Sequence, residues 1–149
     1  MNKEFMKRAL FLAKKAESMG EIPVGAVIVK DNKIIGEGYN KRESEKNALC
    51  HAEIIAINNA CKTLGDWRLE NCEMYVTLEP CFMCAGAIFS SRISTLIFGS
   101  YDLKYGCIDS KTRVFDVYDS KCEIFGGILE DECNELINSF FKAVRKNGK

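Results

Sequence analysis

The sequence predicts a three-layer α/β/α domain, a mixed five-stranded sheet with helices on both faces. Apolar residues recur at helical spacing at both ends of the chain and in two stretches between them. Short runs rich in Val, Ile, Tyr and Phe alternate with these stretches. The resulting order, α-β-β-α-β-α-β-β-α, suggests a mixed sheet covered on both sides.

The elements follow in turn. Phe5, Ala9, Leu12, Ala13, Ala16 and Met19 lie on one stripe with Lys and Glu between them, so residues 5–19 form an amphipathic helix that Gly20 ends. Residues 22–29 read as a strand and 30–33 as a turn, with 34–39 as the second arm of a hairpin. A polar loop over 40–47 delivers the chain to a helix over 52–64, stopped by Gly65-Asp66. Residues 72–78 form the third strand, and Pro80 suits the first turn of a helix running to about Arg92. Residues 95–99 give a fourth strand, and 100–119 have the mixed character of a functional loop. Residues 122–125 give a short fifth strand before Gly126-Gly127. A closing helix over 129–146 carries Leu136, Phe140 and Ala143 on one face.

A chain of 149 residues, 47% hydrophobic and 28% charged, suits one soluble domain over 1–149. Lys+Arg and Asp+Glu both number 21, so nucleic-acid binding must rest on local patches rather than overall charge. Neither an export signal nor a membrane-spanning run is present, and a cytoplasmic location is expected. Eight cysteines without an export signal are expected to stay reduced. Six of them, at 50, 61, 72, 107, 122 and 133, are mostly small core residues, Cys50 excepted because it adjoins His51.

The chemistry concentrates in Cys50-His51-Ala52-Glu53 and Pro80-Cys81-Phe82-Met83-Cys84. Cysteines three apart at a helix start share one face, where the macrodipole favours thiolates. His51, the single histidine, opens the preceding helix and supplies a third ligand. Three protein ligands leave a fourth tetrahedral position for water, the layout of a catalytic zinc site. Glu53 is placed to work on that water. Half of a structural zinc site, a redox pair and two core cysteines are the blander readings of the Cys-x-x-Cys alone, but the chain has no second pair to complete a structural site. His-x-Glu with Pro-Cys-x-x-Cys is the pattern of the zinc deaminases of nucleobases. A cation there acidifies water, and Glu53 would accept that water's proton, pass it to a ring nitrogen, and later protonate the departing amine.

Beyond these ligands, nearly the whole chain resembles the bacterial tRNA-specific adenosine deaminases of the cytidine-deaminase-like superfamily. The likeness runs through Pro23-Val24-Gly25-Ala26-Val27, Gly36-Glu37-Gly38-Tyr39-Asn40, Tyr75-Val76-Thr77-Leu78-Glu79-Pro80-Cys81 and Gly127-Ile128-Leu129-Glu130-Asp131-Glu132-Cys133. It implies one Zn2+ per chain on His51, Cys81 and Cys84, with Glu53 as proton shuttle. It also implies Asn40 holding the purine ring and the Ala52 backbone lining the pocket. The implied reaction converts adenosine to inosine at the wobble position of a tRNA, read through its anticodon loop, usually by a homodimer. Two stretches depart from the family pattern, Gly106-Cys107-Ile108-Asp109-Ser110 and Asp119-Ser120-Lys121-Cys122, both where contact with the anticodon loop is expected.

Asp102, after the fourth strand, is a candidate for the nucleotide's sugar, with an exposed loop aspartate as the plain alternative. Phe141, beside Phe140 and near Lys142, Arg145, Lys146 and Lys149, offers stacking and phosphate contacts. An amphipathic helix with a solvated basic face is the alternative there. Two other functions fit the same motif: a paralogue acting on guanine, cytosine or cytidine, and a catalytically silent zinc protein binding RNA or a partner deaminase. The presence of Glu53 argues against silence.

Overall fold

The computed structural model describes residues 1–147, so Lys149 of the expected basic patch lies outside the described residues. The elements are α1 (Lys3–Ser18), β1 (Gly25–Lys30), β2 (Lys33–Tyr39), α2 (Ala52–Leu64), β3 (Cys72–Leu78), α3 (Phe82–Ser90), β4 (Thr95–Ser100), α4 (Val114–Val117), β5 (Glu123–Phe125) and α5 (Glu130–Lys146). The sheet order is β2-β1-β3-β4-β5. β1 is antiparallel to both β2 and β3, while β3, β4 and β5 are parallel, so the sheet is mixed as predicted.

Strand alternation divides the core into two layers. Ala26, Ile28, Met74, Val76, Leu96 and Phe98 face α2 and α3, packing with Ala56, Ala60, Ala85 and Ile88. Val27, Val29, Tyr75 and Ile97 face the other way, against Met6, Ala9 and Leu10 of α1 and Cys133 of α5. Helices therefore cover both faces. Among the described residues no helix is long and apolar enough to cross a membrane.

The hairpin turns on Asp31 and Asn32, both at positive φ (50° and 62°), as a two-residue type I′ connection requires. α2 approaches β2 closely because the facing residues are small. A Cβ on Gly36 would stand 2.6 Å from the Ala60 nitrogen, and one on Gly38 would stand 2.7 Å from the Ala56 nitrogen. Ala52, Ala56 and Ala60, spaced by four, present one smooth stripe to these glycines.

Several boundaries differ from expectation. β1 starts at Gly25 rather than 22, because Pro23 has no N–H for the ladder. α3 starts at Phe82, with Cys81 as its N-cap and Pro80 before it, and ends at Ser90 rather than Arg92. Arg92 has φ 63°, which breaks the helix. The stretch 100–119 contains α4, anchored by buried Phe115. On α5, Cys133 and Ile137 are the buried residues, and Ala143 lies exposed rather than on the packed face. All eight cysteines are free thiols, and of the six outside the motif Cys72, Cys107 and Cys133 are buried.

Candidate metal centre and active-site cavity

Two helix N-termini converge at the end of the sheet where parallel β3 and β4 finish. His51 is the N-cap of α2 and Cys81 the N-cap of α3, both in extended conformation (ψ 154° and 177°), and neither side chain caps its own helix. Their ligand atoms are thereby left to face each other. Cys84, inside the first turn of α3, completes the group.

His51 Nδ1 lies 3.7 Å from Cys81 Sγ and 3.5 Å from Cys84 Sγ, and the three ligand atoms all fall within 4.8 Å of one another. Nitrogen and sulfur bound tetrahedrally to one zinc, at about 2.0–2.1 and about 2.3 Å, would stand about 3.6 Å apart. The donors fit that ion. Among the described residues no fourth His, Cys, Asp or Glu joins this group, and Cys50 stays outside it.

Protonation follows from crowding. Hydrogen bonding from Cys84, then from His51, outweighs burial and brings the Cys81 thiol down to about 4. The same bond, with burial, drives Cys84 far upward, because two adjacent thiolates repel unless a cation lies between them. The Cys81 bond also raises His51 against the effect of burial. Glu53, 4% exposed, is pushed up to about 7 by burial. A carboxyl tuned near neutrality takes and returns a proton at working pH.

His51, Ala52, Glu53 and Cys81 line a cavity of about 900 Å³. Asn40, Asp102 and Phe141 line it too, so the structure brings the sequence-predicted residues to one place. Each has qualifying detail. Asn40 donates from Nδ2 to the Ile22 carbonyl (3.2 Å) and accepts at Oδ1 from the Arg42 N–H (3.1 Å). It braces the hairpin and keeps one N–H and one lone pair for a base. Asp102 Oδ1 accepts from the N–H groups of Lys104 (3.1 Å) and Tyr105 (3.0 Å), leaving its other oxygen unengaged by those two. Phe141, 40% exposed, meets Phe140 edge-on at 5.4 Å. Arg145 reaches the cavity as well, whereas Lys142 and Lys146 belong to the exposed end of α5.

The departures from the family pattern lie elsewhere. Cys107 and Ile108 are buried core residues, and residues 106–110 do not line the cavity. Sequence reasoning missed Asn134 and Asn138, which join Phe141 and Arg145 in the lining. Their spacing by four and then three along α5 was the available signal. It also missed Glu79, a buried carboxyl that follows β3, immediately before the Pro-Cys pair.

This site on this sheet defines a zinc-binding deaminase domain. The family model for the cytidine and deoxycytidylate deaminase zinc-binding region matches residues 1–100. The tRNA-specific adenosine deaminase of Bacillus subtilis is 44% identical over 147 residues, spanning 97% of this chain and 91% of the relative. A solved tRNA:A34 deaminase, studied in A-to-I editing at the wobble position of transfer RNA, superposes with a TM-score of 0.88 at 38% identity, covering 91% of this chain and 99% of that one. The guanine deaminase of Bacillus subtilis is 43% identical, but its TM-score is 0.64 and the match covers 68% of this chain and 66% of that one. The chain belongs to the tRNA-specific adenosine deaminase family.

Proposed function

We propose that this protein hydrolyses the adenine of adenosine 34 in a tRNA anticodon loop to hypoxanthine, releasing ammonia. The observation that carries the reaction class is the cluster of His51, Cys81 and Cys84 with buried Glu53 beside it. His51 Nδ1 and the two sulfurs would hold one zinc, which when bound supplies an acidified water. Glu53 takes that water's proton and delivers it to a ring nitrogen of the adenine. It then takes the second proton from the new hydroxyl group and passes it to the departing amine, so that a carbonyl forms as the C–N bond breaks. Water in and ammonia out balance the change from amino group to carbonyl. Asn40 offers its spare N–H and lone pair to the purine edge, and the Ala52 backbone closes the pocket behind it.

RNA as the substrate is supported by the size of the cavity and by its lining. At about 900 Å³ it has room for more than one nucleoside, and Arg42, Lys104, Phe141 and Arg145 offer phosphate and stacking contacts. An unstacked loop base costs little to flip into such a site. The same reading takes the chain as a single cytoplasmic domain acting as a homodimer, with the exposed Phe89–Tyr118 pair and Val117 as an apolar surface available for a second copy.

A second reading, deamination of a free base, draws on the likeness to guanine deaminase. Ammonia release tested on anticodon stem-loops, adenosine, cytidine and guanine separates the two. Rapid turnover of guanine or cytidine with an adenosine-34 stem-loop left unchanged overturns the tRNA assignment.

A further inference from the structure

We propose that Glu79 is a positioning residue for substrate capture: its carboxylate clamps residues 102–110 so that their first part forms one wall of the cavity that His51 and Cys81 also line. The inference rests on the cavity being the substrate site. Glu79 is 2% exposed and does not act as a ligand in the His-Cys-Cys group. Its Oε2 accepts three consecutive backbone N–H groups, from Ile108 (3.1 Å), Asp109 (2.7 Å) and Ser110 (2.9 Å). Oε1 accepts the Asp102 N–H at 3.1 Å and the Ser110 hydroxyl.

Successive N–H groups converging on one point form an anion nest. Here the anion is covalently part of the chain. Around it the loop closes without slack. A Cβ on Gly106 would stand 2.5 Å from Oε1, and the Cys107 N–H reaches the Pro80 carbonyl at 2.9 Å. One end of the clamp is therefore two residues from Cys81. The other end starts the wall that Asp102, Leu103, Lys104 and Tyr105 contribute to the cavity. A carboxylate used only for stability could sit under any loop, whereas this one fixes the substrate wall relative to the metal-ligand segment.

The chemistry requires the charge as well as the shape. Glutamine has nearly the same outline, but one of its terminal atoms is a donor. Set against converging N–H groups, it forfeits part of the nest. The metal ligands themselves are not engaged by this clamp, so their cation should remain.

Glu79→Gln, Glu79→Asp and Ser110→Ala are compared with the full wild-type chain for zinc content, thermal midpoint, and kcat and KM on an anticodon stem-loop. Zinc near one per chain is expected throughout. Glu79→Gln should raise KM by about tenfold or more with a smaller change in kcat, and Ser110→Ala by about threefold, as loss of charge-assisted hydrogen bonds predicts. Glu79→Asp, which keeps the charge, should recover part of the loss. Unchanged KM in Ser110→Ala, or lowered thermal midpoints with KM unaltered, overturns the proposal, and Ser110→Ala decides alone if Glu79→Gln does not fold. Should the wild type deaminate a free base instead of the stem-loop, the tRNA reading fails and the same KM comparison on that base decides the role of Glu79. A wild type that deaminates none of them overturns both.

Discussion

Glu53 stands second in α2, buried but lining the cavity, with its pKa pushed up to about 7, beside three groups suited to one cation. Glu53→Gln keeps the shape and removes the proton carrier. It should retain zinc and fold while losing about 10²–10⁴-fold or more in turnover, read as ammonia release against metal content. A near-normal rate would assign the proton work to another group. The His51-Cys81-Cys84 cluster and Glu53 were legible because residues suited to a metal and a proton carrier are written in spacing along two helix starts. Glu79 and Glu21 were not, since their partners come from distant segments. Glu21, 1% exposed, accepts from the N–H groups of Glu43 (3.0 Å) and Ser44 (2.7 Å) and from the Ser44 hydroxyl (2.6 Å), holding the loop next to Asn40. Burial opposes its ionisation, yet these donors outweigh it and hold the carboxyl below its ordinary value of 4.5. A lowered folded-state pKa stabilises above the ordinary value, and that stability is lost as pH falls through the folded one. Denaturation curves from about pH 6 to about pH 3 should therefore show wild type losing stability as pH falls below the ordinary carboxyl value of 4.5. Glu21→Gln should start less stable and lose less; parallel curves would place the acid sensitivity in other carboxylates.

At the level of elements, the seating of α2 on β2 decides where His51 and Glu53 stand. Gly38 lies against the first turn of α2, where an added Cβ would meet the Ala56 nitrogen at 2.7 Å and the Ala52 carbonyl. Gly36 lies one turn further on, 2.5 Å from the Ala56 carbonyl by the same measure. Either Gly→Ala change overpacks the interface and should cost about 1–3 kcal/mol in denaturant unfolding. Gly38→Ala should also lower kcat/KM more than Gly36→Ala does, because it displaces the turn that carries Glu53. Equal losses of kcat/KM would mean that the ligand turn is held by α3 rather than by β2. The hairpin was legible in Asp31-Asn32, and the helices in their apolar spacing. The starts of β1 and α3 were placed too early, at residues 22 and 80: Pro23 has no N–H for the ladder, and Cys81 rather than Pro80 leads into the helix as its N-cap. The four residues of α4 are too few to show a period, and Phe115 anchors them through contacts the local sequence does not reveal.

Across the whole molecule, zero net charge conceals an uneven distribution. Of the acidic groups lining the cavity, Glu53 and Glu79 are buried, while Arg42, Lys104 and Arg145 stand nearer to solvent along its walls. The three cations come from the loop after β2, the loop after β4 and the end of α5, so no single stretch of sequence announces the patch. Composition directs any affinity for RNA to local patches, but does not say where they lie. If each cation meets one phosphate of a single-stranded loop, the logarithm of the binding constant should fall with the logarithm of salt at a slope of about −2. Affinity for an anticodon stem-loop should then drop roughly 20-fold between about 50 and about 200 mM salt. Arg145→Ala removes one contact and should flatten the slope by about 0.7 while leaving zinc content unchanged. Salt titrations of wild type and variant with identical slopes would take Arg145 out of the phosphate contacts, and would leave Lys142, next in sequence to Phe141, as the cation of α5 that guides the strand onto that ring.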